Sequence, residues 1–139
     1  MSLIVQKYGG TSMGSPERIR EVAKRVARFA REGHRLVVVP SAMSGETNRL
    51  LALARELNPD ASPRELDVIA STGEQVTIGL LSIALQALGL KAKSYTGWQV
   101  PIVTANGPVR QGGRVAGTPM GRLACLAGQV PNRMTLLRF

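Results

Sequence analysis

The sequence has 139 residues, 44% of them apolar and 19% charged, which fits one globular domain of roughly 100 to 200 residues and excludes a disordered chain. No run reaches the roughly 18 uninterrupted apolar residues of a membrane span. The net charge of +9 sits in the second half, because residues 1–74 hold all 9 acidic residues against 11 basic ones while residues 75–139 hold 7 basic and none acidic.

In chain order, residues 3–8 form a short apolar run before Gly9-Gly10 and predict a buried strand. Ser15-Pro16 supplies a helix cap followed by proline, and Ile19, Val22, Ala23, Val26, Phe29 and Ala30 recur at helical spacing up to Gly33. Leu36-Val37-Val38-Val39 is continuous and β-branched, the pattern of a parallel strand. These segments make a strand, helix, strand crossover. After Pro40 a loop of small residues, Ser41 to Asn48, leads into the helical pattern of Leu50, Leu53, Ala54 and Leu57. Ser62-Pro63 starts another helix, which Thr72-Gly73 is expected to interrupt. From Glu74 to Leu88 nearly every position is apolar or small, predicting a deep helix closed by Gly89. Ala92 to Tyr95 resembles a third strand.

Near residue 101 the character changes, since the last 39 residues carry 6 Gly, 4 Pro and 5 Arg without Asp, Glu or Lys. No sustained periodicity is present, so residues 105–139 are expected to be an irregular tail outside the core. Two explanations fit: a natural loop-rich tail, or translation that leaves the ancestral reading frame near codon 104, because G+C-rich DNA read out of frame yields Gly, Pro, Arg and Ala. We take the second as the expectation. The basic residues of the tail stand singly, with one aromatic (Phe139) after Trp98, so it offers neither a basic helix face nor a stacking platform for nucleic acid.

The chain has one cysteine, Cys125, and one histidine, His34, which excludes an intrachain disulfide and a cysteine-based zinc site. His34 is expected to be exposed beyond a helix end. The N-terminus lacks the features of a secretory signal, and a cytoplasmic location is expected. Lys7-Tyr8-Gly9-Gly10-Thr11-Ser12 follows a strand and precedes a helix, an order suited to a phosphate: glycines admit the anion to the backbone, a helix N-terminus favours negative charge, and the lysine reaches phosphate oxygens. A plain turn with a surface lysine has the same sequence. Ser41, Ser44, Gly45, Thr47 and Asn48 end the second strand on the same sheet edge, where ligands of open α/β sheets bind; simple helix capping by Ser44 or Thr47 is the alternative. Glu74, read as opening a buried helix, suits either dipole stabilisation or pairing with a substrate ammonium.

Lys7 to Ser12, Ser41 to Asn48, Ser71-Thr72-Gly73-Glu74-Gln75 and Ser94-Tyr95-Thr96-Gly97-Trp98-Gln99 stand in the order and spacing of bacterial aspartokinases, which residues 2 to about 104 therefore resemble. The resemblance implies an amino-acid kinase fold, here an incomplete three-layer α/β sandwich with a mainly parallel sheet. It implies transfer of a phosphoryl group from ATP with Mg2+ to the side-chain carboxylate of L-aspartate, giving 4-phospho-L-aspartate, the first step toward lysine, threonine, methionine and diaminopimelate. Carried over, Lys7, Gly9 and Gly10 contact the transferring phosphate with Thr11 and Ser12 beside them. Ser41 lies between phosphate and aspartate, Gly45 and Thr47 help hold the aspartate, and Glu74 meets its ammonium. An aspartate side chain, with a pKa of about 3.9, is already ionised at neutral pH and needs no general base. The later Arg-Gly-Gly-Ser-Asp stretch, the adenine-binding region and the regulatory domains of aspartokinases have no counterpart, and Gln111-Gly112-Gly113-Arg114 is no substitute. The expectation is a chain of aspartokinase ancestry with little or no turnover alone. The alternatives are a non-catalytic fragment, a partner of a longer aspartokinase subunit or of its own copies and, last, a basic nucleic-acid binder.

Overall fold

The computed structural model describes residues 1–96, Gln99 and residues 135–138. β1 (Leu3–Tyr8) and β2 (Arg35–Pro40) pair in parallel, Leu3 opposite Arg35 and Tyr8 opposite Pro40. The crossover between them is α1 (Pro16–Arg31), at the bounds its sequence signals predict. Ser15 Oγ accepts the amide of Arg18 at 3.3 Å, and Pro16 occupies the first turn, where its missing N–H has no helical partner to lose. At the other end Gly33 has a φ of 83°, and the amides of Gly33 and His34 donate to the carbonyls of Ala30 and Phe29. That pair of bonds satisfies the last carbonyls of a helix and requires a left-handed residue.

α2 (Glu46–Leu57) and α3 (Pro63–Ala87) follow. Ile19, Val22 and Val26 of α1 form one core with Ile78, Leu81 and Leu85 of α3 and with Tyr8, Leu36 and Val38 of the sheet. Each fully buried aliphatic side chain there stabilises the fold by about 1.5–3 kcal/mol. α3 is long and apolar enough to cross a membrane by length and composition. Its burial of Ala70, Thr77, Ile78, Leu81 and Leu85 makes it the central helix of this core.

The expected break at Thr72-Gly73 is overturned, because α3 runs unbroken through it. Ser71 and Thr72 donate their hydroxyls to the carbonyls of Val68 and Ile69, each at 2.7 Å, so these polar side chains are satisfied inside the helix rather than ending it. Glu74 is consequently a mid-helix residue, and the reading of its carboxylate as stabilised by a helix start falls with the break.

Side chains alternate between the faces of a strand. Ile4 and Tyr8 join the side of α1 and α3, whereas Leu3, Val5 and Lys7 look away, with Leu3 and Val5 58% and 43% exposed. The prediction of a buried first strand is corrected accordingly: among the described residues β1 stands at the edge of the sheet, with α1 and α3 both on its inner face.

The sheet is completed by β3 (Lys93–Thr96) and β4 (Thr135–Arg138), in the order β1-β2-β4-β3. β4 runs antiparallel to both neighbours, so β1, β2 and β3 share one direction and the sheet is mainly parallel, as expected. Thr135–Arg138 departs from the reading of residues 105–139 as irregular, since Leu137 pairs with Val38 on one side and Ser94 on the other. The rest of that expectation, including Gln111 to Arg114, Cys125 and the boundary near residue 104, lies outside the described residues, as do Gly97 and Trp98.

Candidate functional site

The first loop leaves β1 at Tyr8 and forms a single 3-10 turn, Gly10–Met13, in which the amide of Ser12 donates to the carbonyl of Gly9 at 3.0 Å. α1 starts only at Pro16 and is capped by Ser15. The glycines therefore do not open directly onto that helix, as the sequence order suggested. Met13 is fully buried and anchors the turn in the core.

The second loop leaves β2 at Pro40, and the amide of Ser41 donates to the carbonyl of Tyr8 at 2.8 Å, so both loops rise from neighbouring strand ends. Gly45, with a φ of 79°, is the cap of α2, and no side chain caps that helix. Ser44 and Thr47 are thus not the capping residues the alternative reading required. The N-terminal turn of α2, with its amides and partial positive charge, opens where the two loops meet.

An open polar cleft of about 400 Å³ lies there, walled by Gly10 and Thr11 from the first loop, Ser41 to Gly45 from the second, Thr47 and Asn48 from α2, and Glu74 from α3. Of the residues singled out from sequence, the fold brings Gly10, Thr11, Ser41, Ser44, Gly45, Thr47, Asn48 and Glu74 into this one space. Lys7, Gly9 and Ser12 are not among its walls. Lys7 stands at the same sheet edge but on the opposite face, with Leu3 and Val5. Glu74 is 4% exposed and is, among the described residues, the one carboxylate lining the cleft. Glu46, beside it on α2, is engaged by Arg49 at 2.7 and 2.9 Å, and those hydrogen bonds hold its carboxyl below the ordinary glutamate value.

Ala42 went unremarked in the sequence, yet it joins the parts of the cleft. A Cβ at Gly10 would sit 3.0 Å from the Ala42 carbonyl oxygen, and one at Gly73 would sit 3.0 Å from Ala42 Cβ. The first loop and α3 therefore both close on Ala42, which is buried. The tight spot on each side requires a glycine, a relation between distant residues that no local pattern carries. His34 precedes β2 and is not among the walls of the cleft; contrary to the expected exposure it is partly buried, its ring tilted against Phe29 and its Nε2 3.9 Å from Glu32.

Residues 2–118 match the amino acid kinase family. The chain belongs to that family. Among amino acid kinases it is similar to an aspartokinase of Pseudomonas aeruginosa, with 61% identity over 104 residues that cover 75% of this chain and 25% of that protein. It is 52% identical to an aspartokinase of Thermus thermophilus over 104 residues, 75% of this chain and 26% of the relative. The structure of an aspartate kinase from Synechocystis superposes with a TM-score of 0.60 at 53% identity, over 62% of this chain and 15% of that one. The chain spans about a quarter of the length of the curated relatives it matches.

Proposed function

We propose that the chain carries the phosphate-facing and aspartate-facing part of an aspartate kinase site, for phosphoryl transfer from ATP to the side-chain carboxylate of L-aspartate, as an incomplete form with little or no turnover by itself. The observation that carries this reading is the convergence of two small-residue loops and Glu74 on one polar cleft.

The residues fit both ligands. Phosphoryl transfer asks for alignment of two anions and stabilisation of spreading charge rather than for a base. Gly10 and Thr11 present backbone and a hydroxyl to a phosphate, and Lys7 supplies a cation from the other face of the sheet edge, with Gly9 and Ser12 completing the loop. Ser41 stands between this loop and the α2 turn, where Gly45 and Thr47 hold a small carboxylate. Glu74, which lines the cleft, takes the ammonium, since a nearby opposite charge favours an ionised carboxylate. Mg2+ bound with the nucleotide would supply neutralisation of the charge that develops on phosphoryl transfer, beside the loop of Gly10 and Thr11 that would hold the phosphate. On this reading the chain works in the cytoplasm, on aspartate and ATP, in the first step toward lysine, threonine and methionine, and alone or beside a longer aspartokinase subunit.

Calorimetric titration of the 139-residue chain with L-aspartate, together with an assay of aspartate-dependent ADP formation, tests the reading. L-aspartate binding that Glu74→Gln weakens at least tenfold, with turnover far below that of the full-length Pseudomonas relative, is expected. Absence of aspartate binding, or binding indifferent to Glu74→Gln, overturns the assignment; full turnover overturns the incompleteness.

A further inference from the structure

α2 begins where the cleft opens, and its first residue is an acid. Glu46 stands between Gly45 and Thr47, both of which line the cleft. Its amide is taken by the Met43 carbonyl at 3.0 Å. The next donors of the first turn are the amides of Thr47 and Asn48, two further cleft residues. A carboxylate in the first turn of a helix is drawn to that same positive end, so a loose Glu46 would compete with an anion in the cleft and repel it. In the structure Glu46 is held by Arg49, which donates from Nη2 to Oε1 at 2.7 Å and from Nε to Oε2 at 2.9 Å. This fork occupies both oxygens and offsets their charge. The stem is fixed as well: a Cβ on Gly73 would stand 3.5 Å from Glu46 Cγ, so the side chain lies against α3 one residue before Glu74. Stability gives little reason for the pair. Arg49 is 60% exposed, where ion pairs contribute little, and a cation so near the start of a helix works against its dipole.

We propose, resting on the aspartate kinase reading above, that Arg49 is a positioning residue: it holds Glu46 away from the start of α2, so that the amides of Thr47 and Asn48 are left to a carboxylate of the substrate. Arg49 touches no reactant and acts through Glu46. L-aspartate, with two carboxylates and one ammonium, carries a net negative charge at neutral pH, and a released Glu46 would oppose its entry. Lysine is a poor replacement, because its ammonium is a single point that cannot engage both carboxylate oxygens as a planar fork does. Glutamine in place of Glu46 removes the competing charge, and with it the need for Arg49.

Calorimetric titration of the full 139-residue chain and its variants with L-aspartate, beside thermal unfolding of each, tests this. Arg49→Ala is expected to weaken binding about fivefold and Arg49→Lys by less. Adding Glu46→Gln to Arg49→Ala is expected to restore the wild-type affinity, with every midpoint within about 2 °C of wild type. That rescue is the outcome a merely structural role would not give. Arg49→Ala binding as tightly as wild type overturns the proposal, and so does a double variant as weak as Arg49→Ala alone. Either result leaves the aspartate assignment standing if Glu74→Gln still weakens binding. Loss of affinity in Arg49→Ala together with a fall in midpoint of about 10 °C or more also overturns it, since the fold rather than the charge is then at fault. A wild-type chain that binds no aspartate overturns the assignment and this proposal together.

Discussion

Gly73 of α3 packs directly on Ala42 of the second loop: a Cβ on the glycine would stand 3.0 Å from Ala42 Cβ and 3.4 Å from Leu50 Cδ1. The residue after it, Glu74, is the one that α3 contributes to the cleft. The depth at which α3 sits against the loop therefore sets where the carboxylate stands. Gly73→Ala gains helix propensity but forces the loop outward, and overpacking of this kind costs about 1–3 kcal/mol. The expected outcome, read by urea denaturation, is net destabilisation that adding Ala42→Gly largely relieves. A Gly73→Ala chain as stable as wild type, with unchanged aspartate titration, would show that the contact yields without consequence.

The two glycines of the first loop separate a steric requirement from a functional one. At Gly10 a side chain meets the Ala42 carbonyl oxygen at 3.0 Å, whereas at Gly9 nothing lies within 4 Å and φ is −75°. Gly10→Ala is expected to lower stability by about 1–3 kcal/mol. Gly9→Ala is expected to leave the denaturation midpoint within about 0.5 kcal/mol of wild type and to weaken binding of Mg-ATP. Equal losses of stability in the two variants would refute the distinction, and undisturbed nucleotide titration in Gly9→Ala would remove Gly9 from the site.

What could be read from sequence was local. The caps at Ser15-Pro16 and Gly33, the bounds of β1 and the uninterrupted Val37-Val38-Val39 of β2 are each encoded within a few neighbouring residues, and all stand in the structure. What failed depended on partners distant in the chain. Thr72-Gly73 has the composition of a breaker, yet the hydroxyls bond back within the helix and the glycine accommodates Ala42. β1 has the apolar run of a covered strand but lies at the edge of the sheet among the described residues. Thr135–Arg138 is too short for periodicity and owes its strand to β2 and β3 on either side. At the site, residue types and loop order were legible, but not the face of the sheet on which Lys7 stands, nor Ala42 as the point where two loops and a helix meet.

Gly45 starts α2 from the left-handed region, with a φ of 79° and open space around its Cα. A substitution there is opposed by backbone conformation alone, since a side chain in that region costs roughly 1–2 kcal/mol. Gly45→Ala is expected to lose about that much stability, and Gly45→Asn less, because asparagine tolerates the conformation. The order of the three thermal midpoints, glycine above asparagine above alanine, is the measurement; alanine equal to glycine would contradict a left-handed cap.

Tyr8 closes β1 with its ring in the core and its hydroxyl donating to Gln6 Oε1 at 3.0 Å. Burial raises its pKa above the ordinary tyrosine value of 10.0, with the nearby Arg25 opposing in part. The folded chain thus keeps this proton at pH values where the unfolded chain has released it, so the unfolded state binds fewer protons and stability falls as pH rises. The contribution is complete below pH 10 and is lost as the pH climbs from there through the raised value in the fold. Tyr8→Phe is expected to cost about 0.5–1.5 kcal/mol near neutrality through the lost hydrogen bond and to flatten the decline of the urea midpoint above pH 10. A wild-type chain and a Tyr8→Phe chain declining in parallel over that range would place the alkaline sensitivity elsewhere.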